Sequence, residues 1–226
     1  MGGRGSFSSS HGGVKRSIHR GGSFYISEKP ETRADIRKLF IDGLGFSEIY
    51  GTQSIPTAQL AALGIQLKKS EKEYHTLRGN DVFLSTTKNP STKGAAVLFG
   101  DGSMALLINP TAHSSVSSYK NTLRREQAEG FKTKTDKKIT NDFSYTARHE
   151  YGHLTQFSLM KQTGKTADQM RSDIQSIAKT KYNSKKNSPS KYGASDNYEF
   201  FAESFASMTG GNPNAQGKAL RDYLSK

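Results

Sequence analysis

A chain of 226 residues, 33% of them hydrophobic, can bury one substantial core, although its many Gly and Ser residues leave part of it contributing little burial. The absence of Cys excludes disulfides and thiolate metal sites, so a transition-metal site here must be built from His, Asp and Glu. A formal net charge of +13 favours polyanions, yet the basic residues form no single block with interleaved aromatics, and no helix-turn-helix, zinc-finger or base-stacking signature accompanies them.

The opening "MGGRGSFSSSHGGVKRSIHRGG" has no acid and almost no apolar periodicity, which predicts a disordered basic tail over residues 1–25 and a single domain over 26–226. Gly2 followed by Ser6 fits the N-myristoylation pattern, a match that Gly/Ser-rich tails make easily. From Thr32, Ile36, Leu39, Phe40 and Leu44 recur at helical spacing until Gly43 and Gly45 break the pattern. "TAQLAAL" at 57–63 predicts a short helix ended by Gly64, followed by the charged stretch "KKSEKEYH".

"DVFLST" at 81–86 reads as a strand, and "AAVLFGDGSMALLINP" at 95–110 as a hairpin turning on Gly100, Asp101 and Gly102. Helices are predicted over 115–129, from Asn141 to roughly Lys161, over 167–180, from about Asp196 to Met208, and from Ala215 to Leu224. The fold class that follows is α+β, mostly helical with a small antiparallel or mixed sheet.

The chemistry is concentrated in "SYTARHEYGHLTQF" at 144–157 and "YGASDNYEFFAESFASM" at 192–208. His149 and His153 are four residues apart, one helical turn, so both imidazoles can reach one metal ion. Glu150 is rotated about 100° from His149, toward an open coordination position rather than into the ligand set. On a helical wheel Phe143, Ala147, Tyr151, Leu154 and Phe157 form an apolar stripe with the histidines on its border, at the wall of a cleft.

Zinc needs a third protein ligand, and Glu199 and Glu203 share one face of the later helix beside the small Ala202 and Ala206. One of the pair can bind metal while the other accepts the free ring N–H of a liganding histidine. Glu199 also has an ordinary role open to it, as the third residue of a capping box begun by Asp196.

"HEYGH" followed by "KYGASDNYEFFAESFASM" resembles the zinc peptidase domain of anthrax lethal factor and its relatives, a gluzincin group that includes the Pro-Pro endopeptidases. The likeness covers roughly residues 143–208 and implies a zincin-like metallopeptidase domain binding Zn2+. It implies His149, His153 and Glu199 as ligands, Glu150 as general base, Tyr192 as a donor to the oxyanion or leaving group, and Glu203 behind the ligands. It further implies that "SMALLIN" is the edge strand along which an extended peptide lies.

The expected activity is therefore a zinc-dependent endopeptidase acting on a protein or peptide, with nucleic acid bound only nonspecifically. The alternative is a basic phage- or nucleic-acid-associated binding protein that keeps an inactive peptidase fold; the intact Glu150 speaks against it. With no apolar run approaching 18 residues and no Sec-type signal, the expectation is a soluble bacterial or phage protein, cytoplasmic or delivered by another route.

Overall fold

The computed structural model describes residues 30–89, 92–113, 115–134, 143–180 and 187–226; the expected tail over 1–25, with its Gly2 pattern, lies outside them. Among the described residues, seven α-helices accompany a four-stranded mixed sheet. The strands are β1 (Glu48–Ile49), β2 (Val82–Thr86), β3 (Gly94–Leu98) and β4 (Met104–Ile108), in the spatial order β1-β2-β4-β3. β1 and β2 are parallel, as are β2 and β4, while β3 returns antiparallel to β4 with Gly94 opposite Ile108 and Leu98 opposite Met104.

The hairpin expected over 95–110 is present, and its turn is made by local chemistry. Gly102 takes the left-handed conformation (φ 82°), and Asp101 Oδ1 accepts from the Ser103 N–H at 2.9 Å and its hydroxyl at 2.7 Å. Its topology corrects the expectation for "SMALLIN": β4 lies between β2 and β3, and the edges of the described sheet are β1 and β3. A central strand has both rows of its backbone groups engaged, so β4 has none to offer a peptide.

The helices are α1 (Arg33–Lys38), α2 (Thr57–Tyr74), α3 (Val116–Ala128), α4 (Ser144–Thr163), α5 (Ala167–Ile177), α6 (Asn197–Met208) and α7 (Ala215–Leu224). α1 opens with a capping box between Thr32 and Asp35, and continues into a π-helical turn over Leu39–Gly43 that buries Leu39 and Phe40. α2 is the largest departure from the sequence reading, because it runs through Gly64 to Tyr74. A Cβ at Gly64 would collide with the side chains of Leu39 and Phe40, so this glycine permits a close approach inside a helix rather than ending one.

The charged stretch is accordingly the second half of α2. Glu71, 3% exposed within it, accepts from the Leu77 N–H at 2.9 Å and the Tyr151 hydroxyl at 2.7 Å, tying α2 to α4. One continuous core joins Phe40, Leu60 and Leu67 to Leu84 and Leu106 of the sheet, to Tyr151 and Leu154 of α4, and to Phe201 and Phe205 of α6. Among the described residues no helix is long and apolar enough to cross a membrane.

Candidate metal centre

α4 occupies the middle of the molecule: every residue from Tyr145 to Ser158 is buried. It packs on α6 along one side and on β3 and α2 along others, so that burial extends past the expected apolar stripe of Phe143, Ala147, Tyr151, Leu154 and Phe157 to the other faces of the helix over that span. Such a helix tolerates polar side chains only where they find partners. Gly152 explains how closely α6 approaches, since a Cβ there would sit 2.8 Å from Phe205 Cβ and 3.0 Å from Ala202 Cα. Small residues thus face one another, Gly152 on α4 and Ala202 on α6.

This contact brings the expected ligands together. His149, His153 and Glu199 each turn one donor atom inward, and the three atoms lie within 4.8 Å of one another. Glu199 Oε2 is 3.1 Å from His149 Nε2 and 3.6 Å from His153 Nε2, yet it is buried with no hydrogen-bond partner. A buried carboxylate oxygen aimed between two imidazoles and bonded to neither fits a cation among the three atoms. This buried group could hold a metal ion.

Asp196 caps α6 by accepting from the N–H groups of Tyr198 and Glu199, both at 2.8 Å. Glu199 itself turns away from that cap, and its Oε1 accepts the Tyr192 hydroxyl at 2.8 Å. The Tyr192 ring stacks on His149 at 5.7 Å between centroids, so the tyrosine lies beside the ligand set.

Glu203, one turn beyond Glu199, is fully buried. Its Oε2 accepts from the Thr133 N–H at 2.7 Å and the Ser190 hydroxyl at 2.6 Å, while Oε1 accepts the Tyr145 hydroxyl. Oε1 also faces His149 Nδ1 at 3.1 Å, within ion-pair range although off line for a hydrogen bond. With Nε2 toward Glu199 and Nδ1 toward Glu203, the ring is held in the sense a metal ligand needs.

Burial dominates the protonation of the site, and its neighbours decide where burial loses. It pulls the His149 imidazole down to about 4 against the pull of Glu199, leaving the ring neutral near pH 7. For Glu199 burial alone would raise the carboxyl, but the two imidazoles hold it well below the usual range. Burial would likewise lower His153, but the carboxylates of Glu199 and Glu150 reverse the direction and raise it. Burial pushes Glu150 up to about 7 and also Glu203 up to about 7, the latter against Lys132 and the Thr133 N–H. Tyr192 is raised, by burial first and then by the Glu199 charge, so its hydroxyl keeps the proton.

Glu150 is placed against the sheet edge. A Cβ at Gly94 of β3 would lie 2.9 Å from Thr146 Cγ2 and 3.1 Å from Glu150 Oε1, so the strand reaches α4 here only because the residue is glycine. Tyr145, Thr133 and Ser190 are partners of the site that the sequence reading did not single out. Tyr145 carried a usable signal, being four residues before His149 on the same helix. Thr133 and Ser190 carried none, because they reach Glu203 from 70 and 13 residues away. Compared with known proteins, the chain matches no family model, no curated protein and no solved structure.

Proposed function

We propose that the protein is a zinc-dependent endopeptidase with a zincin-like domain of the kind its motifs resemble. The observation that carries this reading is the convergence of His149, His153 and Glu199 donor atoms within 4.8 Å, with Glu150 on the same helix as the histidines and outside the ligand set. With Cys absent, two imidazoles and one carboxylate are a donor set suited to zinc. Zinc, when bound, supplies Lewis acidity to the scissile carbonyl and to the attacking water.

The chain's residues do the rest. Glu150, whose carboxyl burial raises to about 7, takes a proton from the water and passes it to the departing amine. Tyr192, kept protonated, donates from its hydroxyl to the oxygen on which negative charge develops. Glu203 orients the His149 ring. The β3 edge, whose Ala96 N–H already meets the Glu150 carboxyl, has its remaining outward main-chain groups to offer an extended peptide, the role expected of β4.

The test is metal analysis joined to cleavage profiling. Wild type should hold one zinc per chain and cut peptides; His149→Ala and His153→Ala should lose the metal, and Glu150→Gln should keep it while losing turnover. Wild-type protein that is free of zinc after purification without chelators, and cannot take it up, would sink the reading.

A further inference from the structure

α3 ends at a left-handed Gly130 (φ 69°), and the Phe131 N–H closes back on the Glu126 carbonyl at 2.8 Å. The next residues then join the turn that carries Tyr192 to the buried Glu203. The Gly130 and Phe131 carbonyls accept from the Lys191 and Tyr192 N–H groups, both at 2.9 Å, and the Thr133 N–H goes to Glu203. Lys132 is therefore pinned between a residue that holds the Tyr192 turn and one that holds the carboxylate behind His149.

Its side chain is directed by this anchoring. Nζ lies 4.4 Å from the Tyr192 ring centroid and 4.9 Å from that of Tyr145, and both rings stack on His149. Lys132 is half-buried and belongs to none of the described ion pairs. Nearby Glu126 is taken by Lys93 at 2.8 Å, and the exposed charged residues of the same stretch are Arg124, Arg125, Glu129 and Lys134. The Lys132 charge is felt by the buried carboxyls of Glu203 and Glu150. Among the described residues, however, no carboxylate comes within ion-pair distance of it, so a half-exposed ammonium held over aromatic faces is open to an anion on its solvent side.

We infer that Lys132 determines specificity, by pairing with the carboxylate of an acidic substrate residue close to the scissile bond. This rests on the peptidase reading and narrows its substrate to acidic peptides. The half-exposed Phe131, its ring tilted by 31° against Tyr192 at 5.5 Å, adds an apolar face next to Lys132.

The experiment takes a cleaved peptide and replaces, one at a time, the residues flanking the scissile bond by Asp or by Asn. For wild type and for Lys132→Arg, Asp should exceed Asn at one position by about 10-fold or more in kcat/KM, the scale of a contact to a charged group. In Lys132→Met, which keeps the stem over the two rings, that ratio should fall to near one through loss on the Asp peptide alone. Lys132→Glu should invert it. A ratio near one in wild type, a ratio kept in Lys132→Met, or an equal fall on both peptides would overturn the inference, the last by showing that Lys132 acts only through the tyrosines. Binding of an acidic peptide library and its amidated counterpart to Glu150→Gln, with and without Lys132→Met, separates the two readings. Acidic preference that depends on Lys132 supports the inference even if wild type cuts nothing, and its absence there overturns it.

Discussion

Glu203 stands directly behind His149, Oε1 to Nδ1 at 3.1 Å, while the other nitrogen of the same ring faces Glu199 Oε2, also at 3.1 Å. Two carboxylates one helical turn apart on α6 thus address opposite sides of one imidazole. Their environments differ as much as their directions. Glu199 keeps an oxygen without a partner, whereas Glu203 is surrounded by donors from α4 and two loops.

This difference sets the first prediction. Glu199→Ala should abolish high-affinity zinc binding with little loss of stability, and Glu203→Gln should weaken binding by about 10- to 100-fold. Glu203→Ala should in addition destabilise the fold by about 1–3 kcal/mol for each buried donor that water cannot reach. Zinc titration against a competing chelator, with urea unfolding of the metal-free proteins, measures both effects. If Glu203→Gln loses more affinity than Glu199→Ala, the ligand lies one turn further along α6.

Gly152 should be the least replaceable residue of the histidine motif outside the candidate donor set. Its neighbours at 2.8 and 3.0 Å are Phe205 Cβ and the Ala202 backbone, neither of which can rotate away. Gly152→Ala should cost about 1–3 kcal/mol by overpacking. Because relief requires α6 to move, carrying Glu199 with it, zinc affinity should fall as well. A variant with wild-type unfolding midpoint and wild-type affinity would mean that the two helices are not held at this distance.

Tyr192→Phe removes a hydroxyl whose described partner is Glu199 Oε1 and leaves the ring stacked on His149. The expected result is a kcat lower by about 100-fold, with zinc content and unfolding midpoint unchanged. Steady-state kinetics on the metal-loaded variant checks this, and an unaffected kcat would remove Tyr192 from the reaction.

His113 offers a pH test away from the metal centre. It is fully buried, stacks on Phe143 at 4.1 Å, and burial lowers its imidazole to about 4, helped by Lys93 and opposed by the Lys93 carbonyl. Between the ordinary value of about 6.5 and the lowered one, the unfolded chain binds a proton that the folded chain refuses. Stability from this residue is thus complete above pH ~6.5 and is lost as pH falls toward 4, by at most about 3 kcal/mol. The stability difference between wild type and His113→Leu, measured by urea unfolding across that range, should shrink accordingly. A difference independent of pH would show that His113 is protonated alike in both states.

Local pattern carried most of the elements and half of the site in the sequence. The hairpin was legible because two apolar runs flank a Gly-Asp-Gly turn, and the histidine pair because a spacing of four on a helix is itself a geometry. Glu199 and Glu203 could be named as a pair, but each helical position was compatible with either role, and only the fold of the Thr133 and Ser190 loops onto Glu203 divided them.

Tertiary contact also decided that α2 passes through Gly64, since the reason for that glycine is the Leu39 side chain 25 positions earlier. The two-residue β1 went unread because it is too short to show alternation. Strand order was settled by pairing between β2 and β4, which left β3 rather than β4 at the edge beside Glu150. The amino-acid pattern determined which groups could do chemistry, because spacing along one helix is fixed by the backbone itself. Which atoms meet across elements was decided by packing, because a close approach depends on what is absent from both surfaces, as at Gly152 and Ala202, and no periodicity within either helix records the other.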